Sequence, residues 1–214
     1  LPADKMDLMQ GLIVITSIHL LAAASPGPDF VLVSQQTLSQ GKRAGLLCSL
    51  GIALGLSIHI FYSAFGLAAM IANSASLLWM IKILGGGYLL YLGVKGLMAK
   101  PADLSAPDAP IPPARSGLKT IGMGFLCNAL NPKAPIYFVS LFTVVLSPDM
   151  PLSQIAIYGA WMMILQMAWF SVVVGLLSRP AINLKFKKMG HWVDRVLGGA
   201  MIALGIKIMV TKSS

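Results

Sequence analysis

LMQGLIVITSIHLLAAASPGPDFVLVSQQTL, residues 8–38, decides the architecture. An apolar run reaches Ala24, meets Ser25-Pro26-Gly27-Pro28-Asp29, and resumes at Phe30. A helix needs about 20 mostly apolar residues to cross ~30 Å of hydrocarbon, and this stretch is longer than that. Proline lacks a backbone donor and clashes with the preceding turn, so two prolines around a glycine open the helix. Unpaired backbone groups in hydrocarbon each cost several kcal/mol. Such a break therefore survives only where protein, water or a solute satisfies it. The segment also has the outline of a signal peptide, with Ala22-Ala23-Ala24-Ser25 as a cleavage site. Against that, Asp4, Lys5 and Asp7 make its start net negative, and the apolar run continues at Phe30 to Val33. The reading adopted is a broken membrane span.

The composition carries this reading outward. Of 214 residues, 57% are hydrophobic and 11% charged, and the mean hydropathy is +0.79. Soluble domains average about 45–50% apolar and about 25% charged. The chain is therefore expected to be an all-α integral membrane protein forming one domain over residues 1–214. The net charge of +9 would suggest nucleic acid in a soluble protein. Here the basic residues lie in short loops between apolar runs, so no nucleic-acid partner is expected and membrane lipid is. Cys48 and Cys127 stand alone on apolar stretches, as small buried hydrophobes.

Six helices are predicted, at about 8–38, 45–72, 76–98, 118–147, 152–178 and 190–211. A proline-rich linker, 99–117, separates a first repeat (about 8–98) from a second (about 118–211). Lys42, Arg43, Lys95, Lys100, Arg115, Lys119, Arg179, Lys185, Lys187 and Lys188 follow or flank the odd-numbered helices, and the loops after helices 2 and 4 carry no basic residue. By the positive-inside rule these ten residues are cytoplasmic and both termini are outside.

The chain also repeats itself. Trp79-Met-Ile-Lys82-Ile-Leu84-Gly85-Gly86-Gly87 is echoed by Trp192-Val-Asp-Arg195-Val-Leu197-Gly198-Gly199-Ala200, 113 residues later. Helix 4 is interrupted at Asn131-Pro132-Lys133-Ala134-Pro135, as helix 1 is at its own prolines. Three helices per half is an odd number, so the second half enters the membrane inverted. Inverted repeats with matching broken helices point to a secondary transporter with a midplane site. The alternative is chance likeness among glycine-rich apolar helices.

The breaks carry the candidate chemistry. A half-helix starting near Pro28 presents free N–H groups and a positive dipole end, suited to a carboxylate. The break near Pro132 does the same from the other half, with Asn131 able to cap it. Asp29 is the only acid deep in a predicted membrane run, and an intramembrane charge is a functional candidate by default. It could hold a substrate ammonium, carry a coupling proton, cap its own half-helix, or pair with Lys133. Lys133 could instead hold a substrate carboxylate or snorkel to the interface. His59 is read either as a proton relay or as a bond to a neighbouring helix, and His19 likewise. Asn128, Gln35, Gln36 and Gln166 are polar groups able to line a path or bridge helices. The glycines at 85–87, 93, 96, 198, 199 and 205 suit close helix packing, within the chain or in a homodimer. Trp79, Trp161 and Trp192 read as interfacial anchors. No catalytic motif, metal cluster or cofactor loop is seen, so no cofactor is expected.

Ser25-Pro26-Gly27-Pro28-Asp29, Gly51-x-x-x-Gly55 before His59, Gly85-Gly86-Gly87-Tyr88 with Leu92-Gly93, and Asn128-x-x-Asn131-Pro132-Lys133 together resemble the LysE/RhtB family of bacterial amino-acid exporters. The SPGPDF stretch is more similar to its threonine and homoserine exporters. The resemblance implies proton-coupled efflux of a small amino acid. The expected substrate-binding set is Ser25, Gly27, Pro28, Asp29, Asn128, Asn131 and Lys133, with Asp29 and His59 coupling protons. Two alternatives stand beside it. A passive channel or facilitator would use the same breaks, and an intramembrane enzyme would have only His191 with Asp194 as a candidate pair.

Overall fold

A computed structural model describes residues 7–24, 27–65, 74–98, 116–131, 134, 137, 138, 141, 145 and 150–210, without the side chains of 78, 81, 82, 183–191, 193, 194 and 208. Among these residues the regular structure is helical: α1 (Leu8–Ala24), α2 (Pro28–Gln40), α3 (Lys42–Ala64), α4 (Ala75–Leu97), α5 (Gly117–Ala129), α6 (Leu152–Leu177) and α7 (Pro180–Val210). The end of predicted helix 2 and most of the proline-rich linker lie outside the described residues, as do Ser25, Pro26, Pro132, Lys133 and Pro135.

The first apolar run forms two helices, with Pro28 opening the second. The directions of α1 and α2 differ by 63°. Gly27 caps α2 in an extended conformation and Pro28 takes its first position, where a missing N–H is harmless and the fixed φ suits a helix start. The second break also opens: α5 stops at Ala129. Beyond it Ala134, Tyr137, Phe138, Leu141 and Val145 are helical, and the three- and four-residue steps between them put them on one helix face.

Two boundaries differ from expectation. The sequence predicts a loop over 39–44, yet only Gly41 separates α2 from α3. Its φ of 90° and ψ of 175° lie in a region that essentially only glycine occupies. The sequence predicts a loop from helix 5 to about residue 190, yet α7 begins at Pro180. Both differences have one cause. Hydropathy marks where a chain leaves the apolar layer, whereas helix propensity decides where the hydrogen-bond ladder ends, and Gln, Lys and Arg are good helix formers. At 1.5 Å per residue, the 31-residue α7 is about 46 Å long, more than the hydrocarbon needs.

The packing is inverted relative to a soluble protein. Leu21, Phe61, Ile164, Val172 and Val196 face outward at 57–75% exposure, while His19, Gln36, Thr37, Ser49, His59, Thr120 and Asn128 are each 4% exposed or less. Apolar surface on this scale asks for an apolar solvent. Two interior hydroxyls are satisfied locally: Thr37 donates to the carbonyl of Val33 and Ser49 to that of Gly45, at 2.7 and 2.8 Å. Among the described residues α3 and α6 are long and apolar enough to cross a membrane, and α1 with α2 makes a third such unit if read as one bent span.

Glycine lets backbones touch at two helix pairs. On α3, Gly51 and Gly55 lie against the α5 backbone at Ile121 and Phe125, and Gly124 returns the contact at Cys48. On α4 and α7, Gly86 meets Gly205 and Gly93 meets Gly198, reciprocally. As the numbering rises on one helix it falls on the other, so the pair is antiparallel. It joins the two helices that carry the repeated tryptophan–glycine stretch.

Candidate functional site

The broken span builds the site. In α2 the first helical bond runs from Val31 N to Gly27 O, at 3.1 Å. Pro28 has no N–H, and the N–H groups of Asp29 and Phe30 come before the helix's own ladder of bonds begins. They point along the positive end of the helix dipole. Gly27, Pro28, Asp29 and Phe30 all line a cavity of about 70 Å³, counted as space open to the centre of a water molecule. That is well above the roughly 10–15 Å³ a single water needs.

The second break supplies the opposite wall. Asn128 is 4% exposed and sits in the last turn of α5. Its Nδ2 donates to Asp29 Oδ2 at 2.8 Å, which ties the two breaks together. Its Oδ1 is buried without a hydrogen-bond partner among the described residues. An orphaned buried acceptor is costly, so this oxygen, next to a carboxylate, is an acceptor in want of a donor. Asn131 lines the same cavity, its N–H closing onto Asn128 O at 2.9 Å and its carbonyl accepting from Ala134 N at 3.1 Å.

A third group was only faintly signalled by sequence. His19 of α1 bonds Tyr137 Oη through Nδ1 and Gln166 Oε1 through Nε2, both at 2.9 Å. An amide oxygen can only accept, so Nε2 bears the hydrogen and the Tyr137 hydroxyl donates to Nδ1. All three side chains line the cavity with Asp29. Protonating Nδ1 needs only a turn of the Tyr137 hydroxyl to accept in place of donating. The sequence signal for Tyr137 is its place among the buried three- and four-step positions after Asn131.

His59 sits elsewhere. It does not line the cavity. Its Nε2 donates to Asn128 O at 2.8 Å, and its Nδ1 accepts from Tyr62 Oη at 2.8 Å. It thereby steadies the residue that holds Asp29. Of the expected substrate-binding residues, the structure brings together Gly27, Pro28, Asp29, Asn128 and Asn131, while Ser25 and Lys133 lie outside the described residues. Trp161, expected as an interfacial anchor, donates its indole N–H to Thr16 Oγ1 at 2.8 Å and links α6 to α1. Among the described residues no group of three His, Cys, Asp or Glu side chains is placed to hold a metal.

Comparison with known proteins adds an independent line. The sequence profile of the LysE type translocator family matches residues 20–212. The threonine efflux protein of Escherichia coli (strain K12) is 31% identical over 205 residues, covering 94% of this chain and 98% of that protein. The threonine efflux protein of Salmonella typhimurium is 30% identical over 209 residues, covering 96% and 100%. The homoserine/homoserine lactone efflux protein of Salmonella typhimurium is 25% identical over 187 residues, covering 86% and 89%. No solved structure matches the chain.

Proposed function

The chain belongs to the LysE type translocator family, and from that premise we propose that it exports a small neutral amino acid, threonine- or homoserine-like, from the bacterial cytoplasm in exchange for protons. It is a multi-pass membrane protein, and the names of its relatives support amino-acid efflux. The observation that carries the reading is the buried pair of acceptors at the meeting of the two breaks, Asp29 with the unpartnered Asn128 Oδ1. An ammonium group satisfies both. The positive dipole end of α2, on the wall of the same cavity, suits the carboxylate of the same zwitterion. The inverted repeat is part of this proposal, and the antiparallel glycine contact of α4 and α7 supports it.

Coupling follows from competition. Ionised Asp29 holds the ammonium, and protonated Asp29 releases it, so proton and substrate alternate on one carboxylate. His19, in the same cavity, is the proton reservoir beside it, with the Tyr137 hydroxyl as the relay, since both ring nitrogens are bonded to Tyr137 and Gln166. One proton entering down 100 mV supplies about 2.3 kcal/mol, enough for an accumulation of about 50-fold.

The test is efflux of labelled threonine and homoserine from loaded proteoliposomes under an imposed proton gradient. Asp29→Asn should lower gradient-driven export about 10- to 150-fold, the range for losing a charge-assisted bond. A wild-type rate with unchanged pH dependence in that variant rules the carboxylate out of the coupling. Equilibration that persists after the gradient is collapsed, with no accumulation before it, makes the protein a facilitator.

A further inference from the structure

A second cavity of about 620 Å³ lies between α2, α4 and α5. It sits toward the C-terminal ends of α2 and α4 and the start of α5, the end of the molecule that carries Lys42, Arg43, Lys95 and Lys119. Gln36, Ser39, Tyr88, Tyr91, Lys95 and Lys119 are among its lining residues. Gln36 is 2% exposed, and its Oε1 is buried without a hydrogen-bond partner among the described residues. Lys95 Nζ stands 4.5 Å over the Tyr91 ring, an interaction that holds an ammonium in place on an aromatic face. Tyr91 in turn stacks with Tyr88, ring centres 6.2 Å apart. One wall thus offers an orphaned acceptor deep in the cavity, and the other offers cationic donors toward its mouth.

Gln36 is also in line with the inner site. It lies seven residues beyond Asp29, two helical turns on, so both share one face of α2 about 10 Å apart. Leu32 and Val33 fall between them, both fully buried, within the apolar cluster of Cys48, Ile52, Leu89 and Leu92. An apolar layer one turn thick separates the wide basic cavity from the narrow acidic one.

Building on the exporter reading, we propose that the basic cavity is a loading site for amino-acid zwitterions, occupied from the cytoplasm before the substrate passes the Leu32–Val33 layer to Asp29. There the substrate ammonium donates to Gln36 Oε1, and its carboxylate faces Lys95 and Lys119. The wide cavity collects small zwitterions with little discrimination, and the narrow one selects among them.

Two measurements test this. In inverted vesicles, which present the basic face outward, Lys95→Gln with Lys119→Gln raises KM for threonine about tenfold, the effect of one lost charge-assisted bond. KM from the opposite face stays where it was, and Lys→Arg at both positions restores the wild-type value. In purified Asp29→Asn protein, labelled threonine still binds weakly, and the two Lys→Gln changes or Gln36→Leu abolish that binding. Wild-type transport with KM unmoved by the lysine changes overturns the loading site and leaves the exporter standing. No threonine transport by the wild type, with lysine-dependent binding in Asp29→Asn, overturns the exporter and keeps the site. Neither transport nor binding overturns both.

Discussion

Asp29 holds the second position of α2, where the positive end of the helix dipole tolerates an acid best. The same residue thus serves the fold and the chemistry, and its sequence setting made it conspicuous. The histidines were harder to separate. His19 and His59 are each a lone imidazole on an apolar helix, and nothing local distinguishes a wall of the cavity from a brace behind it. The partners decide: His19 bonds two side chains of the cavity, whereas His59 bonds a backbone carbonyl and Tyr62. The two should therefore fail differently. His19→Gln is expected to shift or flatten the pH dependence of threonine counterflow while the protein melts near its normal temperature. His59→Leu is expected to keep the wild-type pH profile but lose about 1–3 kcal/mol of stability, because the Tyr62 hydroxyl loses its acceptor and the Asn128 carbonyl loses one of its two donors. Melting curves in detergent beside pH-rate profiles for both variants check the pair of outcomes, and exchanged phenotypes reverse the two roles.

The helices explain which sequence features are structural. The glycines at 85–87, 93, 96, 198, 199 and 205 look alike on paper. The structure sorts them: a Cβ on Gly93 would meet the carbonyl of Gly198 at 2.6 Å, whereas a Cβ on Gly87 or Gly199 would meet nothing within 4 Å. A rotation of 100° per residue is enough to turn one glycine into the seam and its neighbour away from it. Gly93→Val is accordingly expected to pry α4 from α7 and destabilise the protein by about 1–3 kcal/mol or more. Gly87→Val should change stability by less than about 0.5 kcal/mol. Equal effects in thermal unfolding would show that the seam is not where the strain falls. The break after Asn128 belongs to this scale too. Its existence was legible from Asn131-Pro132, but that Asn128 would reach across to Asp29 was not. A contact between residues 99 positions apart leaves no local periodicity to read.

At the scale of the whole molecule, the basic residues predict an orientation. Lys42, Arg43, Lys95 and Lys119 lie at one end of the described helices, and the proposed six spans put both termini at the other. Impermeant thiol labelling of single cysteines placed at residues 5, 42, 119 and 212, in a background lacking Cys48 and Cys127, should label 5 and 212 from outside intact cells. Positions 42 and 119 should react only after the membrane is opened. Any termini on opposite sides would refute an even number of spans. Sequence by itself determined that the chain is a helical membrane protein, where two of its helices break, and which acid stands at the first break. These are matters of local composition and of proline's missing donor, and they need no knowledge of neighbours. Tertiary structure alone decided which polar side chains share a cavity with Asp29, which glycines form seams, and that a wide basic cavity lies two turns along α2 from the narrow acidic one. Those relations join residues from α1 to α7 across long stretches of chain, and only packing brings them together.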